Sequence, residues 1–325
     1  MYGPSGCSAH LRGVVRGLSA LGHDVTVAAL REHDARGRFG APLGVPVITA
    51  PPRAWPQGLR SLGYARDLAR LGRRARRARF DLVWERASAR CDVGGGLARH
   101  AGVPHLLEVN APLSLERGED PGEGARLARA DRVIAVSPWL GRWAESHGAR
   151  EVRVVPNGTD VVAVDRDAAR RTLGLNGTIL VHHGSLGAWH GLDHLPRILE
   201  AVPEVRLVVV GEGDVPAHPR VSVLPFQDAA QLAQVLCAAD VAVVPTPDLA
   251  PPWLDPLKIH DCRAAGLPVV GSVHPATRLA DRQVPLLDPS AWRRAVLELA
   301  GAPRHVRERP WSAVCDEALR GINAR

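Results

Sequence analysis

Short valine-rich runs recur along the whole chain, each bounded by turn residues and separated from the next by a stretch of helical periodicity. In the first half these are DVTVAAL (24–30), VPVIT (45–49), DLVWE (81–85), PHLLEV (104–109) and DRVIAVS (131–137). EVRVVP (151–156), TILVHHG (178–184), VRLVVVG (205–211), VSVLP (221–225), DVAVVP (240–245) and LPVVGS (267–272) follow. Runs that are apolar throughout, rather than alternating, suit strands buried on both faces of a parallel sheet. Helical patterns at 9–21, 58–78, 138–147, 191–201, 229–239, 257–265 and 290–300 fall between them. The alternation predicts an α/β fold with doubly wound parallel sheets. So many strands exceed one compact sheet of this type, and 325 residues are enough for two Rossmann-like domains, with a boundary at VVPNGTDVVAVDRDAA. The first helical pattern begins near Ser8, so the strand that ordinarily opens such a half is missing from the first domain, or lies upstream of Met1.

Composition excludes more than it selects. Hydrophobic residues make up 46% and charged residues 23%, ordinary for a soluble chain with a sizeable core. Forty-one Lys and Arg against 34 Asp and Glu leave +7, which suits an anionic small molecule, a membrane surface or a nucleic acid without choosing among them. Cys7, Cys91, Cys237, Cys262 and Cys315 are odd in number and scattered, with no C-x-x-C pair. Neither a disulfide framework nor a zinc site is expected, and reduced thiols fit a cytoplasmic location. No apolar run nears the ~18 residues that span a bilayer, and MYGPSGCSAH lacks the basic start and apolar middle of a signal peptide. RDLARLGRRARRARF (66–80) crowds arginines around an apolar stripe of Leu68, Leu71 and Ala75. A solvated helix face is the preferred reading of 66–79; the sharper one is peripheral contact with an anionic membrane. Nucleic acid is not expected as a partner, because no aromatic residues are interleaved and no binding motif is present.

In open α/β sheets ligands bind beyond the carboxyl ends of the strands, and phosphates favour helix N-termini. GSLGAWHG (184–191) and GEGD (211–214) each follow a strand, and DPLKIHD (255–261) opens a helix. There Lys258 and free backbone N–H groups make a positive site, and Asp261 lies one turn on, within reach of a sugar hydroxyl. Turn chemistry accounts for any one of these loops; three at one sheet edge point to a ligand. Lys258 is the only lysine of the chain, as if a compact point charge were wanted there. His23 reads as a turn residue, His182 and His183 as packing, and Trp189 and Trp253 as pocket walls or core.

The motifs also carry a resemblance. VIAVSPWL, VRVVPNGTD, GEGD, AADVAVVP and PLKIHDCRAAGLPVV resemble, in order and approximate spacing, the retaining glycosyltransferases of family 4 (glycosyl transferases group 1). GCSAHLRGVVRGLSALGHDVTVAA looks like that family's glycine loop, first helix and following strand, and DLVWERAS and LLEVNAPLSLE resemble segments of one branch. The resemblance implies a GT-B fold: an acceptor-side domain over 1–158, a nucleotide-sugar domain over 159–308, an active site in the cleft, and a last helix, RPWSAVCDEALRGI within 309–325, packed on the first domain. It implies transfer of a sugar from a nucleoside-diphosphate sugar, a UDP- or GDP-sugar first, to an unidentified acceptor hydroxyl, with anomeric configuration retained and no metal or other cofactor required.

Carried over residue by residue, the resemblance puts Lys258 on the diphosphate and Asp261 on the ribose, at the second acidic position of the family's E-x7-E motif. Gly184, Ser185, His190 and Leu257 would border the donor, while Gly213, Phe226 and Gln227 would line the base. Gly6 and Cys7 match the glycine loop near the phosphates. His10 and Asn110 would face the reacting sugar, and Glu85 and Arg86 the acceptor, with a helix-surface role for His10 and internal ion pairs for Glu85 and Arg86 as the structural alternatives. The chain also departs from the pattern. Trp253 occupies the first acidic position, with Asp255 two residues on, and Ser185 and His190 replace an Arg and a Lys. Segment 116–125 is short and would open the acceptor side. Two other readings stand beside transfer: a different nucleotide-sugar enzyme on the same fold, and a catalytically weakened paralogue that binds a nucleotide or partner.

Overall fold

The computed structural model describes residues 6–30, 43–50, 60–118, 120–184, 190–211, 213–215 and 217–322, so Ser185 and Trp189 lie outside the described residues. The chain divides into two compact units, one holding Val14–Pro156 with Ser312–Arg325, the other Asn157–Trp311 with Pro4–Gly13. In chain order the first half forms α1 (Gly6–Ala20), β1 (Val27–Ala29), β2 (Val47–Thr49), α2 (Arg60–Ala75), β3 (Val83–Arg86), α3 (Val93–Ala101), β4 (His105–Val109), α4 (Leu113–Arg117), α5 (Glu123–Arg129), β5 (Arg132–Ala135), α6 (Pro138–Ser146) and β6 (Val152–Val154). The second half forms α7 (Arg166–Leu173), β7 (Thr178–His183), α8 (Leu195–Ala201), β8 (Val205–Val210), β9 (Val221–Leu224), α9 (Ala229–Ala238), β10 (Val241–Val244), α10 (Leu257–Ala264), β11 (Val269–Ser272), β12 (Arg282–Val284), α11 (Pro289–Ala300) and α12 (Trp311–Leu319).

The second unit is a six-stranded parallel sheet in the order β12-β11-β10-β7-β8-β9. One face packs Ile179, Val181, Val208, Leu236 and Ile259, and the other packs Leu180, Leu199, Val209, Val243 and Trp292. This two-sided burial is why its central strands read as unbroken apolar runs. Helix entries follow local chemistry: Asp228 caps α9 in a capping box with Gln231, and Asp288 caps α11 with Pro289 at its first position. The chain passes outward from β7 to β8 and β9, then returns to β10 on the other side of β7. The switch point of the sheet is therefore the carboxyl edge of β7 and β10.

The first unit carries a parallel sheet β3-β4-β5-β6 and a separate parallel pair β1-β2. Among the described residues β1 is the first strand, and it pairs only with β2. Leu68, Leu71 and Ala75 of α2 are buried, while Arg73, Arg74, Arg76, Arg77 and Arg79 are exposed. α12 is held on this unit by arginines from the sheet: Arg132 donates to Ala318 O and Arg320 O at 2.8 and 2.9 Å, and Arg153 donates to Glu317 O at 2.8 Å. Cationic side chains on the last carbonyls satisfy groups that a helix end otherwise leaves orphaned.

α4, α5, α7, β12 and α3 are absent from the sequence reading, and the last two have identifiable reasons. β12, an edge strand spelled RQV with two exposed residues, lacks the apolar signal of its neighbours. α3 starts through Gly94, Gly95 and Gly96, which intrinsic propensity disfavours. A Cβ on Gly94 would come within 2.7 Å of the Glu85 carboxylate. The glycines let the helix N-terminus sit directly on that anion, a favourable place for it.

Candidate active site

At the switch point β7 ends in His182, His183 and Gly184, and α10, which follows β10, brings Lys258 against them. Lys258 is 9% exposed. Its Nζ lies 3.3 Å from His182 Nε2 and 3.4 Å from His190 Nδ1. His182 Nδ1 is 2.8 Å from Val243 O, an atom that only accepts, so Nδ1 carries the proton and the Nε2 lone pair faces the ammonium. His183 Nε2 donates likewise to Lys258 O at 3.2 Å. Burial and the adjacent ammonium push His182 well below the usual range and His183 and His190 down to about 3. His190 is therefore neutral here, a hydrogen-bond acceptor rather than a second cation. Burial also lowers Lys258 to about 8. Among the described residues no carboxylate lies within ion-pair distance of it.

One turn on, Asp261 accepts from Thr159 Oγ1 at 2.5 Å, and its other oxygen lies 4.0 Å from His183 Nε2. Burial raises its carboxyl to about 6 against the pull of that hydrogen bond. Asp255, two residues past the position held by Trp253, points inward. It takes His260 Nε2 and the Asn157 N–H, both at 2.8 Å, together with Arg278, and its side chain is 1% exposed. Burial pushes its carboxyl up, but His260, Arg278 and the Asn157 N–H together hold it below the usual range. This network fastens the loop before α10 and so fixes where Lys258 and Asp261 begin. The loop after β7 is fixed from the other side: Gly191, at φ +69, is so close to β10's exit that a Cβ would meet Pro245 O at 1.7 Å.

The remaining residues of the second unit divide. Gly184 borders Lys258 directly, its missing Cβ falling 3.4 Å from Lys258 Cε. Leu257, Phe226 and Gln227 are half-buried and Gly213 is exposed beyond β8, with Gln227 Nε2 donating to Pro225 O at 3.0 Å. Gly6 and Cys7 open α1. His10 is buried edge-on against Trp311, ring centroids 4.9 Å apart, rather than lying on the helix surface.

In the first unit Glu85 is fully occupied. It accepts from Gly94 N (3.1 Å), Gly95 N (3.2 Å) and His105 Nε2 (3.0 Å), leaving a side chain 9% exposed. It anchors α3 instead of facing solvent. Arg86 is half-buried at the end of β3. Asn110, half-buried at the end of β4, donates its Nδ2 to Glu108, whose other oxygen accepts Trp84 Nε1 at 2.9 Å. A buried carboxylate thus orients the Asn110 amide, leaving Oδ1 as its acceptor. The sequence reading missed Glu108, Thr159, His182 and His183 as site-forming groups. The available signal was two histidines inside an otherwise apolar strand, polar groups that must find partners when buried. Among the described residues no cluster of three or more His, Cys, Asp or Glu side chains is placed to hold a metal.

Residues 4–162 match the family described as Glycosyltransferase Family 4, and residues 177–301 match Glycosyl transferases group 1. The chain is 28% identical over 260 residues to a D-inositol 3-phosphate glycosyltransferase of Segniliparus rotundus, covering 66% of this chain and 57% of that one. It is 29% identical over 286 residues to the protein of the same description from Rhodococcus opacus, covering 69% and 63%. It thus spans about three fifths of the length of these curated relatives. Sucrose-phosphate synthase from Thermosynechococcus elongatus shares the fold at TM-score 0.66 and 18% identity, over 98% of this chain and 89% of that one. Anabaena HepE, solved with UDP and glucose, shares it at TM-score 0.65 and 18% identity, over 100% and 94%. The fold is the α/β GT-B type, and the chain belongs to the family 4, group 1 glycosyltransferases.

Proposed function

We propose that this chain is a retaining glycosyltransferase that moves a sugar from a nucleoside-diphosphate sugar to an acceptor hydroxyl, with UDP-sugars the first donors to examine. The observation that carries this reading is Lys258: a buried ammonium at the sheet's switch point, hydrogen-bonded among the described residues only to neutral imidazoles. Such a cation is costly to bury and lacks a counter-ion, which a diphosphate supplies. Asp261, one turn away, would accept from ribose hydroxyls. In the reaction the bond between the anomeric carbon and the phosphate oxygen breaks while the acceptor oxygen bonds to that carbon on the same face. The acceptor's proton passes to the departing phosphate oxygen, and Lys258 stabilises the charge left there. No covalent intermediate and no metal is part of this scheme. EDTA is expected to leave turnover unchanged.

The test is thermal stability with UDP, GDP, ADP and TDP, for wild type and Lys258→Ala. A nucleotide at ~100 times its Kd adds about 2.7 kcal/mol to the wild type. No shift with any of them would sink the donor-site reading. D-inositol 3-phosphate, the compound in the relatives' names, is the first acceptor to assay.

A second reading is favoured by Trp253 and by the inward turn of Asp255, which leave the family's first acidic position without a free carboxylate. It is nucleotide binding without sugar transfer, and turnover with any donor removes it. Contact between the exposed arginines of α2 and an anionic bilayer is a subordinate proposal, decided by co-sedimentation with phosphatidylglycerol vesicles. Among the described residues no helix is long and apolar enough to cross a membrane.

A further inference from the structure

We propose that His182 is a positioning residue for Lys258, and that nucleotide binding at this site takes up a proton. This rests on the reading that the diphosphate binds at Lys258. His182 is 1% exposed in the central strand, in a run otherwise made of Thr, Ile, Leu and Val before His183. A ring buried there must have both nitrogens partnered. The Val243 carbonyl on β10 takes one N–H and thereby fixes the tautomer, so the other nitrogen can only accept, and what it accepts from is Lys258. His190 is the second acceptor. Among the described residues, three ammonium hydrogens facing two imidazoles leave one donor for a ligand, beside Gly184, whose missing Cβ falls 3.7 Å from the amine.

Among the described residues nothing around Lys258 balances its charge before the ligand arrives. From β7 and the loop after it, His182, His183 and His190 face it as neutral rings. From α10, burial drives the Cys262 thiol well above its usual range, Asp261 is bonded to Thr159, and His260 is turned to Asp255. With Lys258 lowered to about 8 by burial, part of the free protein has lost this proton in mildly alkaline solution. A bound diphosphate favours the charged form and draws the proton back.

The experiment is calorimetric titration of the full chain with UDP in buffers of different ionisation enthalpy, from pH 7 to 8.5. Wild type is expected to take up about 0.75 proton per UDP at pH 8.5 and to bind about fourfold more weakly there than at pH 7. Lys258→Arg, charged throughout, shows neither effect. His182→Leu removes the acceptor, so the alkaline weakening begins at lower pH; His182→Gln, whose amide oxygen reaches the same place, restores the wild-type profile. UDP binding without proton uptake, or equal profiles for the Leu and Gln variants, overturns the inference while leaving the donor site standing. If UDP, GDP, ADP and TDP all fail to bind wild type, the donor-site reading falls and this inference with it.

Discussion

Replacing Lys258 by Met should make the ligand-free protein more stable at neutral pH. Lys258 falls from an ordinary 10.5 to about 8 on burial, a drop of about 2.5 units and hence about 3 kcal/mol against the charged folded state. Met keeps most of the side chain's volume and carries no charge. It also leaves the buried His182 Nε2 without its donor, which returns about 1 kcal/mol. The net expectation is about 2 kcal/mol of added stability at pH 7, with nucleotide stabilisation lost. The same change that tightens the fold should disable the site, as expected where a strained group is kept for binding.

The pH dependence has a definite sign. Lys258 has a lower value folded than unfolded, so between about 8 and 10.5 the unfolded chain holds more protons. Wild-type stability therefore rises with pH across that window, relative to the variant. Below pH 8 the penalty is fully present; by pH 9.5 about 2 kcal/mol of it is gone and the variant's advantage nearly vanishes. Thermal unfolding of both proteins at pH 7 and 9.5, with and without UDP, reads all four quantities. A variant less stable than wild type at pH 7 by more than about 1 kcal/mol, or a difference that ignores pH, would refute the reasoning. The imidazole hydrogen bonds would then outweigh burial.

Two further substitutions probe the frame around the amine. Asp255→Ala takes the shared carboxylate away from Arg278, the buried His260 and the Asn157 N–H, and should lower stability by about 3–5 kcal/mol in thermal unfolding, as breaking a buried ion pair does. Because these groups hold Asp255 below its usual range, its contribution is present at neutral pH and lost as pH falls through the folded value; the variant should therefore lack that part of the acid dependence. Gly191→Ala combines a left-handed backbone with a Cβ 1.7 Å from Pro245 O. Melting should drop by roughly 2–4 kcal/mol and UDP affinity should fall with it; an unchanged melting temperature would show that the loop after β7 is not pinned at the switch point.

The second unit was legible where physics leaves a periodic trace. β7, β8, β10 and β11 are buried on both faces, so their apolar runs stand out, and the loops at their carboxyl ends could be ranked for ligand binding before any side chain was placed. What the residue order hides is orientation. Glu85 reads as a candidate acceptor contact, but turns to hold the N-terminus of α3 because three glycines allow that helix to approach. Asp255 lies two residues past the missing acidic position, and the sequence does not show that Arg278, which is 23 residues away, and His260 draw it inward. His182 and His183 read as packing because a histidine's second hydrogen-bond partner comes from another strand or helix, and no spacing within one strand reveals it.

Lys258 and Asp261 sit three residues apart on α10, a spacing at which opposite charges commonly pair. Here each is held away from the other: Lys258 faces His182 and His190, while Asp261 bonds to Thr159. Pairing would relieve both burial penalties and would occupy the groups a nucleotide needs. Burial raises Asp261 to about 6, so at pH 7 its ionised form carries about 3 kcal/mol of penalty, relieved as pH falls through 6 toward 4. Asp261→Asn keeps an oxygen for Thr159 and should stabilise the free protein at pH 7 while weakening nucleotide binding. If the two charges do not pair, the stabilities of Lys258→Met, Asp261→Asn and the double variant should add to within about 0.5 kcal/mol. A favourable coupling above about 1 kcal/mol would mean that the two close on each other in solution, and that a nucleotide must break an ion pair to enter.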